Sequence, residues 1–195
     1  MSEILLYHHV QGLTDGVRSF ADELRRAGHT VHTPDLFEGR TFETLEDGMA
    51  FARETGFGAL GERGVAAAED ICPDVVYAGF SFGVMIAQRL AQTRRGARGA
   101  LLMYSCLPVS EFGAAWPADV PVQVHGKEGD EFFLEDIDAA RALVESSDLA
   151  ELFLYPGTEH LFADSSLPAF DAPAAALLTE RVLAFLERIP AGESG

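Results

Sequence analysis

Cysteine is scarce in this chain. Only two occur among the 195 residues, Cys72 and Cys106, and they lie in unrelated segments without the C-x-x-C spacing of a redox or metal motif. A disulfide framework and a zinc site are therefore not expected, and the sequence predicts buried, reduced thiols at both positions. Neither cysteine is the first choice for a nucleophile.

Positive charge and long hydrophobic runs are also lacking. The chain has 14 basic and 31 acidic residues, a formal net charge of −17, which disfavours nucleic acid and anionic membrane as partners. No apolar run approaches the roughly 20 residues that span a bilayer, and the start, Met1-Ser2-Glu3, lacks the basic segment of a secretion signal. We therefore expect a soluble, cytoplasmic protein.

Short apolar runs alternate with helix-period segments along the whole chain, of which 48% is hydrophobic. This alternation is typical of an α/β fold, in which helices cover both faces of a parallel sheet. We predict one domain over residues 1–190, a compact three-layer sandwich with no separate lid domain, followed by a flexible tail at 191–195. The predicted strands are residues 4–8, 30–33, 74–79, 100–104, 120–125 and 151–155.

The sequence predicts two amphipathic helices and leaves one region ambiguous. The first helix follows Asp15 and stops at Gly28, and the last runs from Asp171 to Pro190. Residues 49–70 fit either one interrupted helix or two. Loops 104–119 and 161–171 are expected to cover the substrate, which predicts a fairly open site.

The segment Gly79-Phe80-Ser81-Phe82-Gly83 follows a predicted strand and precedes a helical pattern. This context predicts a nucleophile elbow, in which the flanking glycines permit a strained turn that exposes the serine hydroxyl above the sheet. Free N–H groups at the start of the following helix would stabilise negative charge on a substrate oxygen. An ordinary strand-to-helix turn is the alternative interpretation.

A serine hydroxyl needs a base and an acid to act as a nucleophile at neutral pH. Two candidates follow the later strands, where open α/β sheets bind ligands: Asp130 and His160. Asp130 could instead be a turn residue, with Glu128 and Glu131 as alternative acids, and His160 could be a surface histidine. The order serine, aspartate, histidine is the one that the α/β-hydrolase architecture requires.

With these motifs in place, the chain resembles the dienelactone hydrolase family of the α/β-hydrolase superfamily over nearly its full length. By that resemblance Ser81 is the nucleophile, His160 the base and Asp130 the residue that orients it. The same resemblance assigns the oxyanion hole to the backbone N–H groups of Val10 and Phe82. The segments that carry the resemblance are residues 7–13, 33–37, 79–83, 126–130 and 158–162.

Three positions depart from the family pattern. Ser81 replaces the family's cysteine, which favours serine-esterase chemistry. His9 stands where the family has a glutamate, and we expect it to contact substrate or the oxyanion. Asp164 replaces an arginine that holds the substrate carboxylate in the family, which predicts a neutral or cationic ester. His8 and His9 are adjacent and should point apart, so they do not predict a metal site.

Aromatic residues near the predicted strand ends, such as Phe80, Phe82 and Phe162, could accommodate an apolar acyl or aromatic group, although such residues are more often core. The sequence thus predicts a serine hydrolase that cleaves a small carboxylic ester, thioester or lactone without a metal or organic cofactor. A catalytically silent protein with this fold that binds a ligand or regulates is the alternative. Monomer and homodimer remain open, as does acyl transfer to an acceptor other than water.

Overall fold

A parallel sheet of six strands forms the centre of the structure, a computed structural model that describes residues 1–189. All six predicted strands are confirmed, with ends that differ by at most two residues. Pro190 and the expected tail at 191–195 lie outside the described residues. The strands are β1 (Glu3–Tyr7), β2 (Thr30–His32), β3 (Val76–Phe80), β4 (Gly99–Met103), β5 (Val122–Lys127) and β6 (Ala150–Tyr155).

The strands follow the spatial order β2-β1-β3-β4-β5-β6, and every neighbouring pair is parallel. From β1 the chain first adds a strand on one side and then continues on the other side with β3. The order therefore reverses between β1 and β3, and the carboxyl ends of these two strands flank a crevice in which open α/β sheets bind ligands.

Helices cover both faces of the sheet. Helices α1 and α6 bury their apolar residues in one core cluster with the sheet, whereas α2 to α5 contribute to a second cluster on the other face. This confirms the α/β fold class and the layered architecture that the alternating pattern predicts. The helices are α1 (Asp15–Arg26), α2 (Leu45–Thr55), α3 (Phe57–Ala66), α4 (Phe82–Thr93), α5 (Glu131–Ser146) and α6 (Ala172–Arg188).

Local sequence explains how α1 begins and how it packs. Thr14 caps the helix, because its Oγ1 accepts a hydrogen bond from the Val17 N–H at 3.2 Å. Val17, Phe20 and Leu24 share one face and are buried against the sheet. Phe20 is 4% exposed, so its replacement by alanine would cost about 3–5 kcal/mol of stability.

The ambiguous region at residues 49–70 contains two helices and not one interrupted helix. Gly56 separates α2 from α3 and has a φ of +94°, a left-handed conformation that glycine adopts at little cost. Its N–H donates to the Ala52 carbonyl at 2.9 Å and so closes the last turn of α2. No helix within residues 1–189 combines the length and apolar composition needed to cross a membrane.

Candidate active site

Ser81 lies at the sharp turn between β3 and α4, at the carboxyl edge of the sheet. Its backbone has a φ of +50° and a ψ of −110°, a conformation that non-glycine residues rarely adopt. The surrounding structure holds the turn in place, because the Ser81 N–H donates to the Met103 carbonyl at 2.7 Å. A strained serine at this position is the geometry expected of a nucleophile elbow.

The two glycines of the elbow allow the turn to pack closely. A Cβ atom on Gly79 would lie 2.4 Å from the backbone of Gly83, and one on Gly83 would lie 2.4 Å from the Tyr7 carbonyl oxygen. Side chains at either position would therefore push α4 away from β1 and β3. The glycine spacing seen in the sequence thus has a steric cause.

A continuous hydrogen-bond chain joins the three predicted catalytic side chains. The Ser81 Oγ lies 2.9 Å from the His160 Nε2, and the His160 Nδ1 lies 2.5 Å from the Asp130 Oδ2. Asp130 is 1% exposed and His160 is 8% exposed, so little water competes for these bonds. The Asp130 carboxylate accepts the Nδ1–H of His160, which leaves the Nε2 lone pair directed at the serine hydroxyl.

Asp130 is the carboxylate that reaches the histidine. It follows β5 and caps α5, since its Oδ1 accepts a hydrogen bond from the Phe132 N–H at 3.0 Å. The alternative acids, Glu128 and Glu131, are exposed on either side of it. The capping role and the contact with His160 use different oxygens of one side chain, and the cap limits how far the carboxylate can rotate.

A buried lysine supports the loop that carries His160. Lys127, at the end of β5, is 1% exposed and places its Nζ 2.6 Å from Glu159 and 2.6 Å from Asp171. Glu159 immediately precedes His160, and Asp171 caps α6. The two ion pairs therefore hold the loop between β6 and α6 against the same strand that leads to Asp130.

Both predicted oxyanion-hole residues lie at the cleft beside Ser81. Val10 follows β1, Phe82 is the first residue of α4, and both line the cleft. The first N–H groups of a helix have no partner within the helix, so the Phe82 N–H is available to a ligand. Negative charge at this point is further favoured by the helix dipole.

The cleft has a volume of about 320 Å³ and is walled mainly by apolar side chains. Helices α2 and α3, from the region that the sequence left ambiguous, supply part of the wall, whereas the expected cover from loop 161–171 does not contribute to it. Leu45, Met49 and Phe57, which these two helices supply, could not be identified from the sequence, because no motif distinguishes a residue of the cleft wall from a residue of the core. Besides Val10, Phe82 and Tyr104, the apolar residues that line the cleft are Leu45, Met49, Phe57, Met85, Leu107 and Phe132.

One side of the cleft is acidic. Glu135 is exposed at its edge, and Asp136 accepts hydrogen bonds from the Ser105 hydroxyl at 2.6 Å and from the Cys106 N–H at 3.2 Å. Among the described residues that line the cleft, none carries a basic side chain other than His160. Glu135, on α5, is the exposed carboxylate of the two.

The four residues predicted to contact substrate lie in the protein interior instead of on the cleft wall. His9 and Asp164 bond to each other, with 2.7 Å between Nε2 and Oδ2. Phe80 stacks on Tyr104 with ring centroids 5.5 Å apart, and Phe162 makes a T-shaped contact with Tyr104 with centroids 5.1 Å apart. Of this aromatic group, Tyr104 is the member that lines the cleft.

Several other titratable groups are buried and uncharged. Burial lowers the pKa of His8 to about 4 and that of His125 to about 3. Burial, with a contribution from Asp136, raises the pKa of the Cys106 thiol to about 12, so the thiolate is not available as a nucleophile. His8 bonds to the Leu36 N–H while His9 bonds to Asp164, so the adjacent histidines point to different partners.

Comparison with known proteins gives the family. The model of the dienelactone hydrolase family matches residues 2–189. The chain belongs to the dienelactone hydrolase family. This membership implies an enzyme that hydrolyses ester or lactone bonds. No curated protein matches the chain significantly.

Solved structures share the fold at low sequence identity. A candidate dienelactone hydrolase of Klebsiella pneumoniae subsp. pneumoniae MGH 78578 superposes with a TM-score of 0.71 at 16% identity, over 96% of this chain and 87% of that one. The dienelactone hydrolase of Anabaena variabilis ATCC 29413 gives 0.67 at 17%, over 98% and 88%. P91, a dienelactone hydrolase-like promiscuous phosphotriesterase from metagenomic libraries, gives 0.67 at 15%, over 97% and 87%.

Proposed function

We propose that this dienelactone hydrolase family member is a serine hydrolase that cleaves a small carboxylic ester, thioester or lactone through an acyl-serine intermediate. The observation that carries the proposal is the hydrogen-bond chain from Asp130 through His160 to the Ser81 Oγ, which opens into the cleft. The strained backbone of Ser81 supports it, since such strain is expected where a nucleophile must be exposed.

In the first half-reaction the Ser81 Oγ attacks the carbonyl carbon while the His160 Nε2 accepts the hydroxyl proton. The carbonyl oxygen becomes an oxyanion, which accepts hydrogen bonds from the backbone N–H groups of Val10 and Phe82. When the tetrahedral intermediate collapses, the bond to the leaving group breaks and His160 returns the proton to the departing alcohol or thiol. Asp130 stabilises the imidazolium that exists between these two proton transfers.

In the second half-reaction a water molecule attacks the acyl carbon and His160 accepts its proton. Collapse of the second tetrahedral intermediate breaks the bond to the Ser81 Oγ, and His160 returns the proton to the serine. The carboxylic acid leaves and the resting enzyme is restored. Neither half-reaction needs a metal or an organic cofactor, as both proton transfers use His160.

The cleft supports a preference for neutral or cationic substrates with a small apolar group. Its volume of about 320 Å³ lies at the lower end of ordinary ligand sites, and its walls are mostly apolar. The net charge of −17 and the carboxylate of Glu135 disfavour an anionic lactone. The sequence argument assigned this repulsion to Asp164, whereas Glu135 is the exposed carboxylate at the cleft.

A panel of short-chain chromogenic esters, thioesters and lactones tests the proposal, each assayed with the wild type and with Ser81→Ala. One phosphotriester belongs in the panel because a structural neighbour carries that activity in its name. We expect turnover of neutral carboxylic esters that Ser81→Ala abolishes. Binding of panel members to the folded wild type without any turnover would contradict the proposal and favour the silent binding protein.

A further inference from the structure

A second histidine–aspartate pair lies outside the cleft, and the proposed mechanism does not use it. The His9 Nε2 and the Asp164 Oδ2 are 2.7 Å apart, and both residues are at most 4% exposed. A buried carboxylate destabilises a protein unless hydrogen bonds and opposite charge compensate it. The hydrogen-bond partners of His9 and Asp164 therefore show which parts of the chain the pair connects.

Asp164 accepts hydrogen bonds from three residues, of which His9 and Thr14 lie in the loop after β1 and Ser166 lies in its own turn. Besides His9, its Oδ2 accepts from the Thr14 hydroxyl at 2.5 Å, and its Oδ1 accepts from the Ser166 N–H at 2.9 Å and from the Ser166 hydroxyl at 2.6 Å. Burial raises the pKa of Asp164, but the hydrogen bonds from His9, Ser166 and Thr14 outweigh burial and hold it below its usual value. The carboxylate stays ionised and joins the loop after β1 to the turn that contains Asp164.

The carboxylate sits against the first turn of α1, where N–H groups favour negative charge. A Cβ atom on Gly16 would lie only 1.7 Å from the Asp164 Oδ1, so the absence of a side chain at position 16 makes room for it. The Gly16 N–H also donates to the Ser166 hydroxyl at 3.2 Å. The first turn of α1 therefore forms the space that the Asp164 carboxylate occupies.

His9 fixes the backbone on both sides of Val10. Its Nδ1 accepts a hydrogen bond from the Gln11 N–H at 3.2 Å, which leaves the proton on the Nε2 to be donated to Asp164. Its carbonyl oxygen accepts from the Gly12 N–H at 3.0 Å and from the His8 ring at 2.7 Å. Every polar atom of the His9 side chain is therefore occupied within the protein.

From these contacts we infer that His9 and Asp164 are positioning residues that orient the Val10 N–H in the oxyanion hole and tie its loop to the segment that carries His160. Asp164 lies four residues after His160 and donates its own N–H to the Leu161 carbonyl at 3.0 Å, so the tie is short. The inference rests on the proposed function, since it names residues that orient the same site.

Two replacements of His9 separate positioning from bulk packing. His9→Gln keeps an N–H that reaches Asp164, whereas His9→Leu fills the space without any hydrogen bond. For a neutral ester we expect His9→Leu to lower kcat by about 10- to 100-fold with little change in KM, and His9→Gln to recover most of that loss. Asp164→Asn should fall between the two. Equal kcat values for His9→Leu and the wild type would overturn the inference.

Gly16→Ala tests whether the position of the Asp164 carboxylate matters, without removing any hydrogen-bonding group. Its new methyl group would displace the carboxylate, so we expect the same selective loss of kcat as in His9→Leu. Gly58→Ala is the matched control, because Gly58 also lies in a helix, α3, and a Cβ atom there meets nothing within 4 Å. Full activity in both glycine variants would contradict the inference.

Hydrogen exchange of the peptide covering residues 8–14 gives a readout that needs no activity. We expect faster amide exchange in that peptide in Asp164→Asn and His9→Leu, and near wild-type exchange in His9→Gln. If the wild type hydrolyses no ester but exchange responds in this way, the tie is correct and the proposed function is wrong. If the wild type is active and neither exchange nor kcat responds, the inference fails while the proposed function stands.

Discussion

The two buried histidine–aspartate pairs differ in what the second ring nitrogen faces. His160 gives one nitrogen to Asp130 and directs the other at the Ser81 hydroxyl, 2.9 Å away in the cleft. His9 gives one nitrogen to Asp164 and uses the other to accept a backbone N–H. The same two side-chain types thus have different surroundings, and we propose proton transfer for the first pair and a structural role for the second.

Position in the sheet explains the difference. His160 and Asp130 follow β6 and β5 and meet the elbow at the carboxyl edge, beside a cleft that a substrate can enter. Asp164 lies against the start of α1 and does not line the cleft that contains Ser81. We attribute the difference to access. A reacting atom can approach the second ring nitrogen of His160, whereas the second ring nitrogen of His9 accepts a backbone N–H.

Removal of the base should have the largest effect. His160→Ala deletes the proposed acceptor of the Ser81 proton, and we expect kcat/KM for the best ester to fall by about 10⁴-fold or more. We also expect a lower thermal unfolding midpoint, because the buried Asp130 carboxylate loses its histidine partner, so both proteins are assayed at a temperature at which they are folded. Residual activity within about tenfold of the wild type would show that another base acts.

Asp130→Asn changes only the partner of the catalytic histidine that we propose. Asparagine preserves the cap of α5 but no longer accepts the His160 Nδ1–H as a carboxylate does, so we expect kcat to fall by about 10³- to 10⁴-fold. Glu128→Gln and Glu131→Gln are the controls and should stay near the wild type. A larger loss in either control than in Asp130→Asn would move the acid to that glutamate.

The free energy of unfolding should fall at acid pH because of His125, a buried histidine without a carboxylate partner. His125 bonds to Tyr155 and Gln123, and burial lowers its pKa to about 3. Between pH 6.5 and 3 the unfolded state therefore binds the extra proton, and His125 alone should reduce the free energy of unfolding by about 2 kcal/mol on going from pH 7 to pH 5. Urea titrations of the wild type and His125→Asn at both pH values measure this difference. An identical pH dependence in the two proteins would refute it.

The acidic side of the cleft should have a modest effect on substrate choice. Glu135→Gln removes one exposed charge, and we expect the ratio of kcat/KM for a monoanionic ester to that for its neutral analogue to rise by about two- to fivefold at low salt. Glu128→Gln removes a charge that is also exposed but does not line the cleft. The same rise in both variants would indicate general repulsion by the net charge and no specific role for Glu135.

The smallest effect is expected at Cys106. Its thiol is buried, its pKa is raised to about 12, and it lies behind the cleft wall. Cys106→Ala should retain activity within about twofold, since a protonated thiol cannot act as the nucleophile. Loss of turnover in this variant, with Ser81→Ala still active, would reverse the assignment of the nucleophile.

Sequence patterns predicted the sheet well because its strands are short apolar runs bounded by turn residues. The elbow and the positions of Asp130 and His160 could also be predicted, because parallel strands bring their carboxyl ends to one edge of the sheet whatever the intervening sequence. Region 49–70 was ambiguous because Gly56 fits both a kink and a break, and only its left-handed backbone decides between them.

The predictions for His9 and Asp164 show where sequence reasoning stops. Each was placed near the substrate by the position it occupies in the family pattern. The structure brings them together over 155 residues of sequence separation, away from the cleft wall. No local periodicity encodes such a contact, and the cleft wall from α2 and α3 depends on the same kind of long-range packing.

The most direct test of an activated Ser81 is intact-mass spectrometry after exposure to a fluorophosphonate, run on the wild type, Ser81→Ala and His160→Ala. We predict one stoichiometric adduct on the wild type, none on Ser81→Ala and very slow labelling of His160→Ala. A folded wild type that stays unlabelled, or an adduct that persists in Ser81→Ala, would contradict the assignment of Ser81 as the nucleophile.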